Sequence, residues 1–190
     1  AAGEIAGGAN GANRLSGNAL PESMVFGERA GDTAAKFAAG KTARGWNRAS
    51  AEPHIDLIES VIGQNAGKGQ PPAGMIDDLK TLMWTKVGMF RNRDDLDGAL
   101  ATIRTMRWAG LRKLEVSAES IQNTSVVEWF ELRNGLLAVE ALTVAALNRR
   151  ESRGAHQRDD FPETLGTYRR SQRITFENDK TTSSFSEERR

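Results

Sequence analysis

The sequence predicts a mainly α-helical protein, an antiparallel helical bundle preceded by a glycine-rich segment of different character. Two observations lead there. Between residues 50 and 150, apolar side chains recur at helical spacing in successive segments joined by short connections, the pattern of antiparallel neighbours in a bundle. Glycine, by contrast, is crowded into the first 45 residues. A boundary near residues 45–50 follows, and the chain divides into 1–45, 50–150 and 151–190.

Residues 20–39, "LPESMVFGERAGDTAAKFAA", predict a helix ahead of that boundary. Pro21 suits a first turn, where its missing N–H costs nothing, and Glu22 suits the helix dipole. Val25, Phe26, Ala30, Ala34 and Phe37 form one stripe, and Gly40 can end the helix. Residues 50–62 predict a short helix with Ser50 as N-cap and Ile55, Ile58 and Ile62 on one face. "QNAGKGQPP", residues 64–72, is a loop. The next helix covers about 73–90, with Met75, Ile76, Leu79, Leu82, Met83, Val87 and Phe90 in register. Another spans about 93–114, carried by Leu96, Leu100, Ile103, Met106 and Leu111, with Asp94 and Asp95 in its first turn. The strongest spans about 125–150. There Ser125 and Glu128 fit a capping box, and Val127, Phe130, Leu137, Ala141 and Ala145 line a face. Trp84, Trp108 and Trp129 read as packing anchors.

After residue 150 the pattern breaks. "RRESRGAHQRDDFPE" is dense in charge, and residues 149–173 hold seven arginines against four acids. That composition reads as a solvated basic surface, with Arg91 and Arg93 serving helix ends and surface pairing. His156 sits among the arginines and reads as a structural hydrogen-bonding residue. "QRITFE", residues 172–177, alternates enough for a short strand, and "NDKTTSSFSEERR" reads as a mobile polar tail.

Composition narrows the function classes. The 190 residues carry a net charge of +1, which gives no case for nucleic acid as a partner. No apolar run approaches the roughly 20 residues that span a bilayer. With no cysteine, and His54 and His156 the only histidines, a metal site is not expected. The chain lacks an initiator Met and starts on small residues, which suggests a piece of a longer protein.

The opening "GEIAGGANGANRLSGNAL", residues 3–20, has the materials of an anion or cofactor site. Its glycines let backbone approach a ligand. The helix that follows presents unpaired N–H groups and a positive dipole end. Arg14 supplies a planar fork suited to a carboxylate. A glycine-rich stretch before a helix also reads simply as a loop. It is not a P-loop, because no Gly-Lys-Ser/Thr follows, and its spacing does not match the dinucleotide fingerprint.

Three stretches together resemble the flavoprotein subunits of succinate dehydrogenase and fumarate reductase, with their relative L-aspartate oxidase. They are "GEIAGGANGANRLSGNALPESMVFGERAG" (3–31), "LMWTKVGMFRNRDDLDGAL" (82–100) and "ELRNGLLAVEALTVAALNRRESRGAHQRDDFPE" (131–163), in the family's order. The resemblance runs to about residue 163 and corresponds to about the C-terminal third of such a flavoprotein. It implies that residues 1–45 are the last part of an α/β FAD-binding domain. It also implies that the bundle is the family's C-terminal domain and that "SRGAHQRDDFP" is its return loop. Departures exist: Asn10 stands where the family often has His, and Ala19 where it often has Ser.

The resemblance also implies roles. Glu4 would contact the adenosine end of FAD. Arg14 would bind a carboxylate of the dicarboxylate substrate. Backbone at Ala19 and Leu20 would meet the isoalloxazine ring at a helix start, where the dipole favours the negative charge of reduced flavin. The activity implied is FAD-dependent interconversion of succinate and fumarate. The implied partners are membrane-anchor subunits together with an iron–sulfur subunit, placing the protein in the cytoplasm, at the membrane's cytoplasmic face through them. L-Aspartate oxidation is the nearest rival. A rival of another class is a non-catalytic helical interaction module, stable from residue 50 onward.

Overall fold

The structure is a computed structural model that describes residues 1–6, 17–43, 45–119 and 121–186, Glu4 through its backbone alone. Among the described residues there are five α-helices, α1 (Ala19–Ala39), α2 (Arg48–Val61), α3 (Pro72–Lys86), α4 (Arg93–Thr105) and α5 (Thr124–Asn148). Four short strands accompany them: β1 (Phe90–Arg91), β2 (Gln157–Arg158), β3 (Gln172–Glu177) and β4 (Lys180–Phe185). The chain separates into two compact units, Ala1–Arg48 with Arg153–Ala155, and Ala49–Ser152 with His156–Arg190.

In the first unit, a single 3₁₀ turn at Glu4–Ala6 accompanies α1. Gly3 lies against Ser23 with φ +76, and a Cβ there would stand 2.7 Å from the Ser23 hydroxyl, so only glycine fits this approach. Helix α1 ends at Gly40, whose N–H returns to Ala38 O. It buries none of its residues. Val25, Phe26 and Phe37 are exposed, and the Phe26 and Phe37 rings carry Arg29 and Lys41 over their faces. A groove of about 670 Å³ runs along this helix, lined by Ala2, Phe26, Ala30, Ala34 and Phe37 among others.

The second unit contains the core. Leu79 of α3, Ile103 of α4, and Trp129, Leu132 and Leu136 of α5 bury together with Leu111, Leu114 and Val116. Val87, Leu96, Ala99 and Ala146 form a second buried cluster. Leu96 is 0% exposed, and burying such a side chain contributes about 1.5–3 kcal/mol. Helix α4 starts at Asn92, whose side chain accepts from Asp95 N, with Asp94 and Asp95 in the first turn as expected. It ends earlier than the periodicity suggests. A π turn at Met106–Gly110 and a 3₁₀ turn at Leu111–Lys113 follow, which lets Leu111 and Leu114 both point inward.

Several expectations are corrected. On α2 the inward residues are Val61 and, in part, Leu57, while Ile55, Ile58 and Ile62 are exposed. The helix begins at Arg48, so Ser50 lies inside it and is not its cap. Helix α5 is capped by Asn123, whose side chain accepts from Val126 N; Ser125 instead accepts from Ser117 N and donates to Asn123. Its buried face is Trp129, Leu132, Leu136, Glu140, Thr143 and Val144, not the stripe through Val127 and Leu137. Trp129 is a packing anchor, with its indole N–H 3.3 Å from Leu111 O, but Trp84 is 85% exposed. Phe90 is exposed too.

Residues 178–186 are also more ordered than their composition suggests. Strand β3 matches the expected 172–177, and residues 180–185, expected in a mobile tail, pair with it as β4. Asn178 and Asp179 connect them with φ 49 and 62, the left-handed pair of a type I′ hairpin turn. No helix among the described residues is long and apolar enough to cross a membrane.

Candidate functional site

Of the residues assigned to ligands, Glu4, Ala19 and Leu20 fall in the first unit. Arg14 lies outside the described residues, as does Asn10. Glu4 opens the 3₁₀ turn Glu4–Ala6. Ala19 and Leu20 are the first two residues of α1, and Leu20 is exposed. The helix start itself is chemically open. Asn18 gives it no side-chain cap, and the first turn closes with Glu22 N donating to Asn18 O at 3.0 Å. Pro21 has no N–H. The backbone donors at Ala19 and Leu20 therefore stand at the positive end of a 21-residue helix, where an anionic group is stabilised. A glycine-turned approach at Gly17, with φ 105, leads into it. Such an end suits an anionic or electron-rich group through backbone N–H groups alone, which alanine at position 19 offers as well as serine would.

The second unit holds two polar clusters that sequence reasoning missed. The first centres on Glu140, on the buried face of α5 and 1% exposed. Its Oε2 accepts from Arg107 Nη1 at 2.6 Å, and its Oε1 accepts from Arg104 Nε and Thr181 Oγ1, both at 3.1 Å. Burial alone would raise the carboxyl's pKa, but the bonds from Arg107, Arg104 and Thr181 outweigh it and hold it below the usual carboxylate range. The Arg107 guanidinium lies 4.5 Å from the ring centroids of both Trp108 and Phe176 and 3.6 Å from Asp179. With these partners in place, Glu140 anchors the β3–β4 hairpin to α5. It is not a free base. Its signal in the sequence is one acid inside the apolar run "LLAVEALTVAAL".

The second cluster is the arginine-rich segment after α5. It is the solvated basic surface expected only in part: Arg150, Arg169, Arg170 and Arg173 are exposed, while Arg158 and Arg149 are drawn inward. Arg158 is buried and forks onto Asp160, Nε to Oδ1 and Nη2 to Oδ2, each at 2.7 Å. Its Nη1 donates to Ala146 O at 2.9 Å, a cation on the closing carbonyls of α5. Arg149 Nη1 donates to buried Glu151 at 2.7 Å and to Tyr168 O at 2.9 Å. Glu151 also accepts from Leu165 N at 2.8 Å. Each guanidinium meets acids or carbonyls, which is what permits burial. Arg91, expected to serve surface pairing, reaches across 65 positions to His156 Nδ1 at 2.8 Å. His156 Nε2 meets Arg149 O at 2.9 Å. Strands β1 and β2 pair in parallel beside this contact, Phe90 with Gln157 and Arg91 with Arg158. Arg93 does pair on the surface, with Asp97 at 3.4 Å. Among the described residues no group of three or more His, Cys, Asp or Glu is placed to hold a metal.

Comparison with known proteins sets this arrangement in a family. The family profile described as fumarate reductase flavoprotein C-terminus matches residues 76–187. Among curated proteins, a fumarate reductase (CoM/CoB) of Methanothermobacter marburgensis is 40% identical over 171 residues, covering 90% of this chain and 30% of that protein. L-Aspartate oxidase of Rhodospirillum rubrum is 37% identical over 170 residues, covering 86% of this chain and 49% of that protein. Among solved structures, the Mycobacterium smegmatis Sdh1 complex in its apo form contains a chain that superimposes with a TM-score of 0.84 at 29% identity, covering 97% of this chain and 32% of its own. The chain thus spans about 30% of the length of the first of these curated relatives. On the profile match over most of its helical unit, the chain belongs to the fumarate reductase flavoprotein C-terminal family.

Proposed function

We propose that the protein carrying this chain interconverts succinate and fumarate with FAD, and that residues 1–45 form part of its flavin-binding domain. The observation that carries this reading is the family match across residues 76–187, joined to relatives named fumarate reductase. FAD, when bound, would supply the hydride chemistry. This chain's residues would bind and orient. Glu4 holds the adenosine end, and the uncapped start of α1 at Ala19 and Leu20 presents N–H groups to the ring system. Arg14 holds and polarises a substrate carboxylate through its two-pronged guanidinium. The bundle of residues 50–150 and the segment 151–190 serve as the family's C-terminal domain.

The solved structure described as the Sdh1 complex supports assembly with further subunits. We place membrane anchors and an iron–sulfur subunit among these, which would hold the protein at the cytoplasmic face of a membrane. L-Aspartate oxidation is the second reading, favoured by the 37% identity to a named L-aspartate oxidase. The experiment is steady-state turnover of succinate, fumarate and aspartate by the intact flavoprotein, wild type beside Arg14→Lys. Succinate and fumarate turnover that depends on Arg14 supports the first reading, and aspartate turnover alone supports the second.

A further inference from the structure

The contact between Arg91 and His156 fixes the state of the imidazole. An arginine guanidinium has donors and no acceptor, so the 2.8 Å contact requires a lone pair on Nδ1. The Arg149 carbonyl only accepts, so the 2.9 Å contact requires a proton on Nε2. His156 is therefore the neutral Nε2–H tautomer. It bridges β1 to the end of α5, beside the β1–β2 pair that Gln157 N and Asp159 N close by donating to Met89 O and Arg91 O.

The charges around the ring make this state exclusive. Arg91 faces it from β1, Arg158 from β2 and Arg149 from the end of α5. Glu151 is engaged by Arg149, and Asp160 by Arg158. Asp159 contributes its backbone N–H to Arg91, and its side chain is exposed. Among the described residues no carboxylate pairs with Arg91. Protonating Nδ1 would set N–H against N–H across the Arg91 contact and add a further positive charge to three.

We propose that His156 is an acid-sensitive fastener: neutral, it ties the segment after α5 to β1 through Arg91, and protonated, it releases Arg91 and loosens the β1–β2 pair. This goes beyond the proposed activity and stands independently of it. Burial, with the charges of Arg91, Arg158 and Arg149, holds the imidazole below its ordinary value. The opened segment therefore binds a proton that the closed one refuses. The fastening is complete above the ordinary histidine pKa of about 6.5 and weakens as pH falls through the lower native value. Between about pH 7.5 and about pH 5.5, one such proton raises the local opening constant by up to about tenfold.

The test is amide hydrogen exchange of the intact protein, corrected for intrinsic rates and read at Gln157 and Asp159. Wild type is expected to lose up to about tenfold in protection over that pH interval. In His156→Gln, whose amide can accept from Arg91 and donate to the Arg149 carbonyl without titrating, the loss is expected to vanish. No loss in wild type, or the same loss in both proteins, overturns the proposal. Should the variant not fold, imidazole ¹⁵N spectra of wild type decide. A neutral Nε2–H ring titrating below about 6.5 supports it. A ring protonated at Nδ1, or one titrating at or above that value, overturns it.

Discussion

Replacing Glu140 by alanine tests whether a buried ion cluster, rather than apolar contact, fastens the C-terminal hairpin. The substitution leaves Arg107, whose side chain is only 8% exposed, with Asp179 at 3.6 Å as its one remaining acid among the described residues. Breaking a buried pair costs about 3–5 kcal/mol, because the surviving charge stays buried. The Trp108 and Phe176 faces still hold the guanidinium, which places the expected loss near the lower end, about 3 kcal/mol. Arg104 is half exposed, so its share is under about 1 kcal/mol. For a chain of this size the melting temperature should fall by roughly 6–12 °C. Thermal and urea unfolding at neutral pH read this directly. The double substitution Glu140→Leu with Arg107→Met, which removes both charges, should recover to within about 1 kcal/mol of wild type. A loss below about 1 kcal/mol for Glu140→Ala, or a double variant as unstable as the single one, would refute the reasoning. The pH sign follows from the same contacts. The carboxyl is held below its ordinary value, so its contribution is complete above about pH 4.3 and is lost as pH falls through the lower native value.

Two further outcomes check the packing, and a third the capping of α5. Leu96→Ala should cost about 2–5 kcal/mol by urea unfolding, since the side chain is wholly buried. Trp84→Ala should stay within about 0.5 kcal/mol in the same assay, because the ring is exposed. Asn123→Ala should cost about 1 kcal/mol through the lost cap of α5. It also removes bonds to Ser117 O and Glu119 O, so hydrogen exchange should quicken in residues 117–126.

Where a helix carried apolar and polar residues on opposite sides, its pattern named both the element and its inner face. Helix α4 is the case: Leu96 and Ile103 are buried in the core as the spacing implies, and Leu100 is half-buried. Helix α5 is apolar on nearly every side, so spacing identified the helix but not the face. Helix α2 offered two stripes, and the isoleucines at 55, 58 and 62 were the wrong one because Leu57 and Val61 meet the core. Strand β4 was missed because its "KTTSSF" is a run of four hydroxyl residues with no apolar alternation. The Asn178–Asp179 turn signal was present and overlooked.

The polar clusters show the harder limit. Composition describes seven arginines as a surface. Drawing any of them inward depends on acids and carbonyls brought from elsewhere, such as Ala146 O for Arg158 and Tyr168 O for Arg149. Nothing local announces that Arg91 will meet His156, 65 positions away. The start of α1 was legible from Pro21 and Glu22, and the structure places it at Ala19.

The central claim is that this chain contributes the carboxylate-binding edge of a succinate–fumarate flavoenzyme, and Arg14→Lys in the intact flavoprotein tests it most directly. Lysine keeps the charge but loses the two-pronged geometry. The kcat/KM for fumarate and succinate should fall by about 100-fold or more, with bound flavin retained. Near-normal kinetics for both substrates would contradict it.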